Sequence, residues 1–352
     1  MKIFEKIKVI ELASVLAGPA VGMFFAELGA QVVKVENKKT GGDVTRSWKL
    51  PSEHKDSTTS AYFHSVNFGK THLFKDLSDK KEKDQVYELI SNADILISNF
   101  KKGSAEKLGF DFRTIRNLNE QIVHCNLVGF EEQNKTAYDV VLQAETSWLN
   151  MTGNEEQRSK IPVAMIDLMA AHQMKEAILI GLLERKVSGK GKSFEVSLEK
   201  SSLSSLANLA SNYLNTNSLP KRLGTLHPNI APYGEIFTTK DGVDFVFAIG
   251  SDIQFQCLCE EFDDDNLINK DRFNSNQKRL KNRKELGSIL SILVASIHSA
   301  DLESTCLKRK IPIGRLKELN EVLASPAAKK MILKDAQESM RLSSIAFQEI
   351  QY

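Results

Sequence analysis

The sequence predicts an α/β protein. Three observations carry that prediction: a strand, turn, helix and strand at the start of the chain, two later helices that each lead into an apolar strand, and a long helix with one apolar face from 168 to 185.

Residues 7–13, IKVIELA, have the unbroken apolar character of a buried strand, and Gly18 and Pro19 break the chain before the helical run AVGMFFAELGA. QVVKVEN then reads as a second strand. Such a βαβ unit has a right-handed crossover and parallel strands. The pattern recurs where the helix KEKDQVYELISNA leads to DILISN and the helix RTIRNLNEQ leads to IVHCNLVGF. In LMAAHQMKEAILIGLLER, Ala171, Met174, Ile178 and Leu182 repeat at the three-to-four spacing of a buried helix face. Gly189 and Gly191 end that helix, FEVSLEKS follows as a strand, and a Ser- and Leu-rich helix runs to about 215. Beyond it, IAPYGEIFTTKDGVDFVFAIG reads as a hairpin turned at Lys240, Asp241 and Gly242. The expected organisation is a large parallel-sheet domain over 1–215, a smaller α+β domain over 216–325, and a return to the large domain over 326–352 as one more helix and strand.

The 352 residues are 26% charged and 41% hydrophobic, the composition of an ordinary globular chain. A net charge of +2 from 47 basic and 45 acidic residues argues against a general nucleic-acid or membrane-surface binder, so any anion site is local. Cys125, Cys257, Cys259 and Cys306 form no CxxC pair or metal-spaced set, and no metal site is expected. Lysines interrupt the apolar residues of MKIFEKIKVIEL, which predicts a cytoplasmic location.

The opening VIELASVLAGPAVGMFFAELGAQVVKVEN resembles the start of the class III CoA-transferases, the CaiB/BaiF-type family that includes formyl-CoA transferase and α-methylacyl-CoA racemase. GGDVTR, ADILISNFKKGSAEKLGF, AYDVVLQA, IPVAMID, LLERKVSGKGKSFEVSL, IAPYGEIFTTKDG and IPIGRLKELNEV follow in family order, covering nearly the whole chain. The resemblance implies a Rossmann-like large domain, an inserted smaller domain, and two subunits interlocked as a homodimer. It also implies coenzyme A as the carried group, with acyl-CoA and carboxylic acids as substrates and no metal or redox cofactor.

By the same resemblance Asp167 is the catalytic carboxylate. It attacks the acyl-CoA thioester to give an aspartyl anhydride, and the returning thiolate converts this to an aspartyl-CoA thioester. An aspartate just ahead of a helix is also a natural N-cap, and a helix N-terminus favours its ionised form. Arg185 lies eighteen residues further along the helix, roughly 27 Å away, and marks register only. In the racemase branch a histidine beside the aspartate is the second acid–base group; here that position is Tyr138, which favours the transferase. The remaining alternative is a catalytically silent CoA-binding paralogue.

For the CoA site, the resemblance implies backbone approach at Ala17 and Gly18, Asn99 and Phe100 beside the adenine or pantetheine arm, Lys107 on phosphate, and Ala137 and Tyr138 at the thiol end. Asn37, Phe68 and Thr71 stand where the family has arginine, so the phosphates are expected to turn to Lys38, Lys39 and Lys70. Ser147 and Ala171 replace common glycines, and no glycine-rich substrate loop like that of formyl-CoA transferase is present, which argues against oxalate and formate. The IAPYG region suggests a succinyl or other short dicarboxylyl donor, and His227 beside it is assigned no catalytic role.

Overall fold

Alternation along the first strand sets up the fold: Val9 faces one side of the sheet and Ile10 the other, and both are buried. The computed structural model describes residues 2–101, 103–131, 135–262, 267, 271–335 and 339–350. In it the chain forms two units, Met1–Trp148 with Ile161–Ser211 and Pro326–Tyr352, and Leu149–Lys160 with Asn212–Ser325. The segment 149–160 therefore groups with the second unit, whereas the sequence places it in the first.

The first unit is built from β1 (Lys8–Leu12), α1 (Ala17–Glu27), β2 (Gln31–Asn37), α2 (Ala61–Asn67), β3 (Thr71–Lys75), α3 (Lys80–Ser91), β4 (Ile95–Ser98), α4 (Ser104–Leu108), α5 (Phe112–Leu118), β5 (Val123–Val128), α6 (Asp139–Glu145), α7 (Trp148–Met151), α8 (Met165–Ser188) and β6 (Ser193–Ser197). Helix α7 straddles the boundary between the units. The six strands make one parallel sheet in the order β3-β2-β1-β4-β5-β6. Strand order therefore reverses between β1 and β4, which opens a crevice at the carboxyl ends of those strands.

Val9, Ile95 and Val123 pack against α1 and α8 through Val21, Phe25, Met174 and Ile178. On the other face Ile10 and Leu96 meet Val86, Ile90 and Ile115 of α3 and α5. Gly18 brings α1 down onto this sheet, since a Cβ there would lie 2.5 Å from Ala13 Cβ. Helix α2 and edge strand β3 have no counterpart in the sequence-based expectation: β3, THLFK, is short and only partly covered, so its apolar alternation is weak. At the chain end, β10 (Ile332–Lys334) pairs antiparallel with β11 (Met340–Leu342), a hairpin rather than a lone strand. Arg341 and the Ser343 and Ser344 hydroxyls tie it to Glu27 of α1.

In the second unit β7 (Tyr233–Thr238), β8 (Asp244–Ala248) and β9 (Ile313–Arg315) form an antiparallel sheet whose first turn runs through Lys240, Asp241 and Gly242. Phe237, Phe245, Phe247, Phe255 and Leu258 form its core. Arg283 pairs with Glu235 and donates to the carbonyls of His227, Ile230 and Tyr233, while His227 Nδ1 accepts the Asn229 N–H. No single helix among the described residues is long and apolar enough to cross a membrane.

Candidate active site

The crevice between β1 and β4 is closed at its base by a reciprocal pair: Asn99 Oδ1 accepts the Ser14 N–H at 3.2 Å and Asn99 Nδ2 donates to Ser14 O at 2.9 Å. The next residue, Val15, has φ +74°, a left-handed conformation that is costly for a β-branched side chain. Both Asp43 carboxylate oxygens accept the Val15 N–H, at 3.3 and 3.2 Å, and hold it there.

Asp43 comes from the GGDVTR segment. Gly41 and Gly42 both turn left-handed, and a Cβ on Gly42 would meet Glu36 Oε2 at 2.5 Å. Arg46, six residues after Thr40, grips Glu36 bidentately at 2.7 and 2.6 Å while His72 lies 2.8 Å from the same carboxylate. Burial opposes ionisation of Glu36, but these partners hold its pKa well below the usual carboxylate range. Lys34, fully buried, joins Asp43 at 3.0 Å to Glu11 at 2.9 Å. Burial pulls the Lys34 pKa down, and Glu11 and Asp43 more than reverse it.

Two cavities adjoin at Ser14, Asn99, Phe100 and Lys101. The larger, about 770 Å³, is bordered by Lys39, Gly41, Arg46 and Ser78. The smaller, about 420 Å³, is lined by His124 and Asn126 of β5 and by Ala137 and Tyr138. Immediately after Tyr138, Asp139 lies in the first turn of α6, and its Oδ1 accepts the Ile166 N–H at 2.8 Å while its Oδ2 accepts from Gln143 Nε2 at 2.5 Å.

Asp167 is part-buried in the first turn of α8. It is not the N-cap: Ala164 holds that position, and the α8 N-terminus is satisfied by Asp139 instead. The expected preference for the ionised form is also overturned, because burial and then the Asp139 charge push the Asp167 carboxyl up to about 7. The same burial leaves the carboxylate, once ionised, poorly solvated. Tyr62 is pushed up to about 12 by burial and by the charges of Asp167, Asp139 and Asp43, so it keeps its proton.

Of the residues expected at a CoA site, Asn99, Phe100, Ala137 and Tyr138 line the cavities. Ala17 and Gly18 are buried in the α1–sheet contact, where packing explains the glycine. Lys38 is exposed and pairs with Glu82 at 2.8 Å; its neighbour Lys39, not Lys38, borders the larger cavity, held by Asp76 at 2.9 Å and Ser78 at 2.7 Å. Lys107 is exposed on α4 and lines neither cavity. The Lys70 side chain is fully buried. Its ammonium is enclosed 2.8 Å from Glu11, 2.8 Å from Pro19 O and 3.1 Å from Asn67, and burial pulls its pKa down to about 7.

Three residues were not singled out from the sequence. Asp139 was visible within AYDVVLQA, and only the fold brings it to the start of α8. Lys101 was visible within NFKKG and borders both cavities with no ion-pair partner among the described residues. His124 lay inside a strand reading as core. Among the described residues no group of three or more His, Cys, Asp or Glu is placed to hold a metal.

The chain matches CoA-transferase family III over residues 4–342. It is 34% identical to the succinate–glutarate CoA-transferase of Agrobacterium fabrum over 91% of this chain and 81% of that one. The human succinyl-CoA:glutarate CoA-transferase is 32% identical over 93% of this chain and 74% of its own length. A CaiB/BaiF family protein from Brucella suis superposes with a TM-score of 0.82 at 33% identity, covering 97% of this chain and 92% of that chain. The α/β fold, the motifs and these relatives agree that the chain belongs to CoA-transferase family III and is an enzyme of that family.

Proposed function

We propose that the protein moves CoA between short dicarboxylic acids, with Asp167 as the covalent nucleophile. The observation that carries this reading is the place of Asp167: part-buried in the first turn of α8, directly after Ile166, whose N–H is held by Asp139, the neighbour of the Tyr138 that lines the smaller cavity.

The Asp167 carboxylate attacks the thioester carbonyl and expels CoA thiolate, leaving a mixed anhydride. The thiolate then attacks the Asp167 carbonyl carbon, and the donor acid leaves with the bridging oxygen. An incoming carboxylate attacks the aspartyl-CoA thioester, and the thiolate finally attacks the acceptor's carbonyl, which restores the Asp167 carboxylate. Each bond broken is matched by one formed, so the exchange needs no other reactant. Desolvation of Asp167 raises its nucleophilicity where water would blunt it. The dicarboxylate preference is supported by the relatives that carry succinate and glutarate in their names. Lys101, at the border of both cavities with no ion-pair partner among the described residues, is suited to the phosphates of CoA, and Lys39 and Arg46 add positive charge at the larger cavity while paired with Asp76 and Glu36.

Incubation with succinyl-CoA, rapid quenching and peptide mass analysis test the proposal. The expected product is one CoA joined, less water, to the peptide bearing Asp167, and its loss in Asp167→Asn. A different modified residue, or no adduct while CoA transfer proceeds, overturns it. A two-subunit assembly belongs to the same reading; Ile180, Leu183 and Val187 leave an apolar stripe exposed along α8, and light scattering that gives a monomer of full activity would remove it.

A further inference from the structure

A polar pair sits unused on the floor of the smaller cavity. His124 and Asn126 are alternate residues of β5, so both point to the face opposite Val123 and Cys125, which belong to the α1–α8 core. Both line the cavity, and His124 is only 2% exposed. Ser98 of β4 sits between them: its hydroxyl donates to Asn126 Oδ1 at 2.8 Å and lies 2.9 Å from His124 Nε2.

A hydroxyl has one proton. Since Ser98 gives it to Asn126, it accepts from His124 Nε2–H, and His124 Nδ1 is left as a bare acceptor. Burial keeps the ring neutral by pulling its pKa down to about 3. That Nδ1 has no hydrogen-bond partner among the described residues, and neither does the Asn126 amide nitrogen. Phe112 packs on the imidazole with ring centroids 4.7 Å apart and holds the ring in place. Turning the Ser98 hydroxyl and the Asn126 amide together would swap the polarities and still leave one donor and one acceptor. A buried acceptor without a partner is costly, and natural proteins leave few of them.

Resting on the CoA-transfer reading, we infer that His124 and Asn126 form a recognition pair for the pantetheine arm, His124 Nδ1 accepting the N–H of one amide and Asn126 Nδ2 donating to the carbonyl of the other. The arm carries two amides separated by two methylenes, and alternate side chains of a strand stand roughly 7 Å apart, so consecutive polar groups of an extended arm meet consecutive positions of β5. His124 and Asn126 are level with Leu96 and Ser98 of β4, on the strand side of the Ser14–Asn99–Lys101 border that this cavity shares with the larger one, and the same cavity is also lined by Ala137 and Tyr138. The role of the pair is to hold the arm against the strand floor of that cavity.

The test is calorimetric binding of CoA and of adenosine 3′,5′-bisphosphate, which has the nucleotide end but no pantetheine, to the full chain and to His124→Phe, His124→Gln and Asn126→Ala. Phenylalanine keeps the packing on Phe112 and removes the acceptor; glutamine keeps an acceptor. The expected result is about tenfold weaker CoA binding in His124→Phe and Asn126→Ala, partial recovery in His124→Gln, and bisphosphate binding unchanged within about twofold. Equal weakening of both ligands, or no weakening of CoA, overturns the pair. If His124→Phe loses its cooperative melt, Asn126→Ala decides alone by the same comparison. Unchanged CoA binding in the variants with the Asp167 adduct intact rejects only the pair, whereas a wild-type protein that neither binds CoA nor forms the adduct rejects the transferase reading and the pair together.

Discussion

Asp139 Oδ1 accepts the Ile166 backbone N–H at 2.8 Å, so the carboxylate that satisfies the start of α8 comes from another helix and leaves Asp167 free for chemistry. It also brings a second negative charge close enough to raise the Asp167 pKa. Neighbouring carboxylates with separate tasks are a common way of setting one of them near neutrality.

The rate of adduct formation should therefore rise with pH through a midpoint near 7, as the Asp167 carboxyl that burial and Asp139 keep protonated becomes ionised. Asp139→Asn retains an oxygen for the Ile166 N–H but removes the charge, and should move that midpoint to lower pH. Stopped-flow measurement of thiolate release across pH checks both. A midpoint unmoved by Asp139→Asn would mean that the charge is not felt.

Stability should show the same group with the opposite sense. Between the ordinary value of 3.8 and about 7 the folded protein holds the Asp167 proton more tightly than the unfolded chain does, so the Asp167 contribution falls as pH rises through that window. Asp167→Asn should gain Tm relative to the parent above neutrality and little near pH 4. Thermal melts at the two pH values read the difference directly.

Lys70 and Lys101 should separate cleanly. Lys70→Met removes one of the two cations around Glu11 and should cost about 2–3 kcal/mol of stability with KM for acyl-CoA unchanged within about twofold. Lys101→Ala should leave Tm alone and raise KM about five- to tenfold, with weaker dependence of KM on salt. Urea unfolding and steady-state kinetics at two ionic strengths make the comparison.

Asp43→Ala should affect both properties. It releases the strained Val15 and leaves buried Lys34 with Glu11 as its one carboxylate partner beside the Ala13 carbonyl, so about 3 kcal/mol of stability should be lost and the crevice loop disordered. Asp43→Asn, which can still accept from Val15, should recover much of the kcat/KM loss.

The parallel sheet was legible because buried strands such as IKVIELA and DILISN are unbroken apolar runs with helices between them. β3 escaped notice because an edge strand with half-exposed residues carries little pattern. Asp167, Asn99 and Tyr138 were picked out through motif resemblance, since no periodicity marks them. Lys38, Lys70 and Lys107 show what the sequence hides: a lysine there displays its charge but not its partner, and Glu82 and Glu11 pair with the first two. Asp139, His124 and the tie from Asp43 to Val15 depend on chain segments that meet only in three dimensions.

The most direct test of the covalent role of Asp167 follows an oxygen atom. After turnover of succinyl-CoA with glutarate labelled with oxygen-18 in both carboxylates, the account predicts label in the Asp167 carboxyl and, after further cycles, in the released succinate. An unlabelled Asp167 peptide recovered from enzyme that has formed glutaryl-CoA would contradict it.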